Sequence, residues 1–68
     1  MESITGFTTP MQILEEALKR EHAAHDFYAM VRDHVKTQLV QELAEKLCEE
    51  ERRHVRLIEK QIEKLRLG

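Results

Sequence analysis

Three side chains that are suited to binding a divalent metal ion interrupt the apolar stripes of this 68-residue sequence. At 100° per residue, Glu21 falls inside the apolar stripe of a first helical segment. Glu51 and His54 fill the gap between Leu47 and Ile58 in the stripe of a second segment. A buried carboxylate without a counter-charge costs several kcal/mol, and mixed carboxylate and imidazole donors suit iron or manganese. The pattern therefore predicts a metal centre.

The choice of carboxylate on the second stripe lies between Glu50 and Glu51, which fall almost equally close to its centre. The E-x-x-H spacing favours Glu51, because it places Glu51 and His54 about 60° apart on one helical face, where they can share a metal. We predict Glu21, Glu51 and His54 as ligands. Glu50 and His25 are candidates for an additional ligand or for contacts behind the ligands, and His25 is alternatively a packed neutral histidine.

Two helices must position these residues, and the sequence has a clear N-terminal capping signal for the first of them. Thr9 can accept a hydrogen bond from the third amide of a helix, Pro10 suits the first position, and Gln12 can complete a capping box. A candidate N-cap at Thr37 and a phase change in the apolar pattern favour a second start. We predict a short N-terminal arm over residues 1–9, a helix over about 10–36, a turn at about 36–38 and a helix over about 38–66.

The alternative is one unbroken helix, because no Gly or Pro occurs between residues 11 and 67. Such a helix would be about 85 Å long at 1.5 Å per residue. A register argument favours the antiparallel hairpin. The midpoint of Glu21 and Glu51 is residue 36, and that of Glu21 and His54 lies between residues 37 and 38. Both fall in the predicted turn, so the hairpin brings the three side chains to one level.

Two helices cannot enclose a core, and the single cysteine, Cys48, excludes an intrachain disulfide. The all-α hairpin is therefore expected to pair with a second copy into a four-helix bundle, as a homodimer or a higher homo-oligomer. Two copies of Glu21 and Glu51 would carry four negative charges in one layer. Two divalent cations would neutralise them, and each His54 would add a neutral nitrogen ligand.

Composition excludes several other classes of partner. The formal net charge is −2 with acidic and basic residues interleaved, so the sequence does not favour nucleic-acid binding. No uncharged run approaches the roughly 20 apolar residues of a membrane span. Residues 1–9 contain no Lys or Arg and no apolar core, so we do not expect a signal peptide. We expect a cytoplasmic protein, with the interior of a protein compartment as the alternative location.

Residues 21–28 have the pattern E-x-x-A-x-x-aromatic-Y, and residues 51–54 have the pattern E-x-x-H. Together they resemble the ferritin-like superfamily, and specifically half of a rubrerythrin-type di-iron bundle. The pair of motifs occurs once, over about residues 11–66, so the chain is similar to half-length members, including the encapsulin-associated ferritins. Those proteins assemble a di-iron site between two subunits. The resemblance thus implies a ferritin-like four-helix bundle, and an encapsulin shell as a further candidate partner.

The activity that this resemblance implies is ferroxidase-like: Fe(II) is oxidised by dioxygen or peroxide at a site with two iron ions per dimer, with manganese as the alternative metal. By the same resemblance, Glu21 is a terminal ligand, Glu51 bridges the metals and His54 is a terminal nitrogen ligand. Tyr28 would hydrogen-bond near the centre or act as a redox-active neighbour, and core packing is its alternative role. Two other functions remain as alternatives: a non-catalytic metal-binding module, and a structural bundle with a polar layer that fixes its register.

Overall fold

The computed structural model describes residues 9–68, which form two helices packed against each other. Helix α1 spans Pro10–His34 and helix α2 spans Gln38–Leu67. No strand occurs within residues 9–68. The structure confirms the all-α fold of two packed helices, and one unbroken helix is excluded. The predicted N-terminal arm lies outside the described residues apart from Thr9.

The start of α1 has the hydrogen bonds of a capping box. The Gln12 amide donates to Thr9 Oγ1 at 3.1 Å, and the Thr9 amide donates to Gln12 Oε1 at 3.2 Å. Pro10 occupies the first helical position, where its missing N–H is not needed. At the other end, Val35 is extended, with ψ 135°, and its amide closes the helix on the Val31 carbonyl at 2.9 Å.

The connection between the helices covers residues 35–37, so α1 ends at His34, two residues before the end expected from the sequence. Thr37 occupies the N-cap position of α2, but its side chain makes no capping hydrogen bond. The turn is held instead by Gln41, whose side-chain amide donates to the Val35 carbonyl and whose backbone amide donates to the Thr37 carbonyl at 2.9 Å.

The contact between the helices, the α1–α2 seam, contains the buried residues of α2: Ala44, Cys48 and Ile62. Two of them are small, which allows the helices to approach closely near the turn. The Cys48 thiol points at the His25 carbonyl, with 3.7 Å between sulfur and oxygen. Buried thiols of this kind act as small apolar packing groups.

Much of the apolar surface predicted from the sequence is not covered by the hairpin itself. Leu39 is 76 % exposed and Leu57 is 60 % exposed, although both are large and apolar. Helical geometry places most of the large exposed apolar side chains of both helices on one side of the α1–α2 seam, with Met30 and Leu67 outside this group. We call this side the open apolar face; it consists of Ile13, Phe27, Leu39, Leu43, Leu57 and Leu65. Within residues 9–68, neither helix is long and apolar enough to span a membrane.

Candidate metal centre

One carboxylate from α1 and a carboxylate and an imidazole from α2 converge across the α1–α2 seam. His54 Nδ1 lies 2.9 Å from Glu21 Oε2 and 2.8 Å from Glu51 Oε1. Each of the three residues offers a ligand atom, and these atoms all lie within 4.8 Å of one another. Glu51 and His54 share a face because they are one helical turn apart, and the antiparallel hairpin brings Glu21 to their level. Their role as metal ligands stays a prediction.

The three side chains differ strongly in their exposure to solvent. Glu51 is 13 % exposed, Glu21 is 27 % exposed and His54 is 52 % exposed. Glu51 therefore lies in the seam, whereas His54 lies at the border between the seam and the open apolar face. Within a single hairpin, this layer is open to solvent on the side of His54. Neither α1 nor α2 covers His54 on this side.

The electrostatics of this group fit a divalent cation. Burial raises the pKa of Glu51, and the neighbouring Glu21 carboxylate raises it further, although the contact with His54 opposes this shift. Hydrogen bonds to Glu21 and then to Glu51 raise the pKa of His54. The two carboxylates and the imidazole thus share a proton at Nδ1 of His54. A divalent metal ion can replace that proton and neutralise both carboxylates.

The stability of the metal-free protein should fall as the pH rises above about 6.5, the ordinary pKa of histidine. The pKa of His54 is higher in the folded state, so its contribution to stability is complete below its unfolded pKa and disappears as the pH passes through the folded pKa. The pKa of Glu51 is also raised, which gives a slope of the same sign at lower pH. Urea unfolding with a chelator present, at several pH values, measures this slope.

The matched variant for this prediction is His54→Gln, which keeps a polar side chain but does not titrate. Its metal-free stability should depend less on pH between about 6 and 8, because the proton linked to folding has been removed. An equally steep pH dependence in His54→Gln and in the unmodified protein would contradict the assignment.

A separate polar network lies on the opposite side of the α1–α2 seam, and the sequence pattern did not predict it. Arg52 Nη1 donates to His25 Nε2 at 3.1 Å, and His25 Nδ1 lies 3.3 Å from Asp26 Oδ1. Glu45 accepts from Arg32 at 3.0 Å and lies 3.5 Å from Arg52. His25 thus contacts Arg52 and Asp26 instead of the three candidate ligands. The register rule could have found this pair, because the midpoint of His25 and Arg52 also lies close to the turn.

The two remaining candidates from the sequence are not in the group that converges across the seam. Tyr28 is half-buried, and its ring makes an edge contact with Phe27 at a centroid distance of 5.5 Å. Glu50 is exposed on α2. Within residues 9–68, no hydrogen bond connects either side chain to the three candidate ligands. A role for Tyr28 or Glu50 at the metal centre would therefore require contacts other than hydrogen bonds to these three side chains.

Comparison with known proteins identifies the family of the chain. The rubrerythrin family model matches residues 12–68, which includes nearly all of α1 and the whole of α2. No curated protein and no solved structure matches the chain. The family match covers well over half of the sequence, and it includes all three side chains that converge across the seam. The chain belongs to the rubrerythrin family.

Proposed function

We propose that two copies of this chain hold a pair of iron ions between them and oxidise Fe(II) with dioxygen or peroxide. Rubrerythrins are di-iron carboxylate proteins, and the family usually binds iron. The observation that carries the proposal is the convergence of Glu21, Glu51 and His54 on one level of the hairpin, with their ligand atoms within 4.8 Å of one another. When bound, a pair of Fe(II) ions supplies the two electrons that reduce one peroxide.

The number of ions follows from charge and from the number of donors. One hairpin offers three ligand atoms with two negative charges, which is too few donors for an enclosed site. A twofold dimer offers two such sets with four negative charges, and two divalent ions neutralise them. The ligand sets remain small, so each ion keeps positions for water or for the oxidant.

The case for a dimer rests on the surface that the hairpin leaves uncovered. His54 lies at the edge of the open apolar face, and exposed leucines lie along α2 on both sides of it. Contiguous apolar surface of this kind is uncommon on monomers and marks contact sites. A chain of 68 residues with so small a buried core also gains stability from a partner subunit. A second copy would cover the leucines and would exclude water from His54.

Each side chain has a distinct part in this proposal. Glu51 is the most buried of the three side chains and would be the carboxylate shared by the ions, while Glu21 and His54 would each supply a further ligand. His54 would bind through Nδ1, the nitrogen that faces both carboxylates. The proton that these groups share would leave when the metal binds, so metal affinity should fall as the pH is lowered. Tyr28 is assigned no step.

Anaerobic addition of Fe(II) followed by air tests the proposal and separates it from the alternatives. We expect binding of about two irons per dimer and then fast formation of ferric absorbance, faster than in buffer alone. Binding without accelerated oxidation would indicate a metal-binding module that does not turn over. An absence of binding would leave the hydrogen bonds of His54 to both carboxylates as a structural polar layer. His54→Gln, which lacks the nitrogen ligand, should oxidise Fe(II) no faster than buffer does.

A further inference from the structure

A groove of about 330 Å³ lies along the α1–α2 seam, on the side opposite to the open apolar face. Two histidines of α1 and two arginines and a valine of α2 line it: His22, His25, Arg52, Val55 and Arg56. Among residues 9–68, no Asp or Glu lines this groove. The sequence has 13 acidic residues and 11 Lys or Arg, so composition alone does not predict a groove with only basic polar side chains. The lining favours an anion.

The hairpin brings these side chains together by the same register that aligns the candidate metal ligands. Arg52 and Arg56 are one turn apart on α2, and about 40° apart around its axis. The midpoint of His22 and Arg52 is residue 37, which lies in the connection between the helices. His22 therefore lies at the level of Arg52, and Arg56 lies about 6 Å further along α2.

Contacts with the protein orient the guanidinium group of Arg52. Its Nη1 donates to His25 Nε2 at 3.1 Å, and its Nη2 lies 3.5 Å from Glu45 Oε1. Because arginine can only donate, His25 accepts at Nε2 and carries its hydrogen on Nδ1, which lies 3.3 Å from Asp26 Oδ1. A guanidinium group has five N–H donors, and these two contacts use at most two of them. Arg52 is thus held in place and keeps donors for a ligand.

The other two basic residues of the groove have no partner within the described part of the chain. Neither Arg56 nor His22 makes a hydrogen bond or an ion pair with another residue of 9–68. Glu59 lies three residues after Arg56, a spacing that allows an ion pair, but none forms between them. Both basic side chains are exposed at the groove. Two unpaired donors thus lie beside an oriented arginine.

We propose that this groove binds a phosphate group, either as free phosphate or as part of a small phosphate ester. The guanidinium groups of Arg52 and Arg56 match pairs of phosphate oxygens, and such hydrogen bonds are charge-assisted. His22 would donate a further hydrogen bond from α1.

Phosphate fits these donors better than a carboxylate does. Two arginines neutralise the two charges of a phosphate dianion, and three donor groups require at least three acceptor oxygens. A carboxylate has one charge and two oxygens. Val55, half-buried in the lining, offers an apolar contact to an organic group attached to the phosphate. The site lies away from His54 and needs neither a metal ion nor a second copy.

Titration of the full-length protein with inorganic phosphate tests the site. Metal is first removed with a chelator, because phosphate also binds iron, and chloride keeps the ionic strength constant. In NMR spectra, the guanidinium signals of Arg52 and Arg56 and the backbone amides of His22 and Val55 should shift along one saturating curve. Shifts without saturation, spread over the Lys and Arg residues of the whole chain, would overturn the proposal.

Arg56→Gln should weaken phosphate affinity about tenfold or more, because it removes charge-assisted hydrogen bonds to the ligand. The fold should persist, since Arg56 makes no hydrogen bond or ion pair within residues 9–68. The matched control is Arg53→Gln, which removes the same charge from an exposed position on α2 that does not line the groove. Its affinity should be nearly unchanged. Equal weakening in both variants would mean that phosphate responds only to the general charge of α2, and the site would be rejected.

Phenyl phosphate and benzoate complete the test. Tighter binding of phenyl phosphate than of inorganic phosphate would support the site and identify a phosphate ester as its ligand. Equal or weaker binding of phenyl phosphate, with saturation by inorganic phosphate, would support the site and identify free phosphate. Benzoate has the same ring with a carboxylate and should leave the signals of Arg52 and Arg56 unshifted. Benzoate binding as tight as that of phenyl phosphate would overturn the assignment of a phosphate site.

Discussion

Replacing Glu51 with alanine should abolish iron binding. Glu51 is the least exposed of the three candidate ligands, and it lies 2.8 Å from His54 Nδ1. Its loss removes one donor from each hairpin and two negative charges from the dimer, so the remaining donors cannot neutralise or hold two divalent ions. Iron retained after anaerobic loading and gel filtration should fall from about two ions per dimer to nearly none.

The control for this experiment is Glu59→Ala. Glu59 is an exposed glutamate on the same helix, and it points away from the open apolar face. Its replacement has a similar effect on charge and on helix propensity, but it should leave iron binding intact. Iron retained by Glu51→Ala and lost by Glu50→Ala would mean that Glu50, rather than Glu51, is the ligand on this helix.

Metal binding should also raise the thermal midpoint strongly. A ligand that binds only the folded state adds about 2.7 kcal/mol when it is present at about 100 times its Kd. For a domain of this size, 1 kcal/mol corresponds to a shift of about 4–8 °C, so the midpoint should rise by about 11–22 °C. Thermal unfolding followed by circular dichroism, with Mn(II) or anaerobic Fe(II) against a chelator, measures the shift.

The same scan of Glu51→Ala should show almost no shift with metal. The comparison uses the difference between the midpoints with and without metal in each protein, because Glu51→Ala also removes the contact with His54 at 2.8 Å. Equal metal-dependent shifts in both proteins would place the stabilising ion elsewhere.

The sequence was sufficient for the parts of the fold that depend on local signals and on distance along the chain. The capping box at Thr9 and Gln12 is visible as residue types at fixed spacing, and the structure has both of its hydrogen bonds. Two antiparallel helices rise by the same distance per residue, so residues equally far from the turn lie at the same level. The midpoints of Glu21 with Glu51 and of Glu21 with His54 both fall near the turn, which predicts that the three residues share a level. The structure brings these three side chains together.

Other features depend on contacts that no short pattern encodes. Thr37 is a good N-cap residue by type, but Gln41 holds the turn through the Val35 carbonyl instead. By spacing alone, Arg52 could pair with Glu49, which lies three residues before it on α2. It contacts His25 across the seam instead, because its long side chain reaches beyond α2.

The extent of burial could not be predicted either, since it depends on a surface outside the hairpin. A stripe of leucines along α2 has the pattern of a core-facing helix whether the opposing surface is α1 or a second subunit. Leu39 and Leu57 face away from α1 and are exposed, whereas Ile62 is buried in the seam. The distinction required the rotation of α2 about its axis, which the packing of Ala44 and Cys48 against α1 fixes.

The most direct test of the central claim, that two copies of Glu21, Glu51 and His54 share a pair of iron ions, is the mass of the intact protein after anaerobic loading. Native mass spectrometry should show a dimer carrying two irons, with little iron on the monomer and almost none on His54→Gln. An iron-loaded monomer, or a dimer whose iron content is the same in His54→Gln, would contradict it.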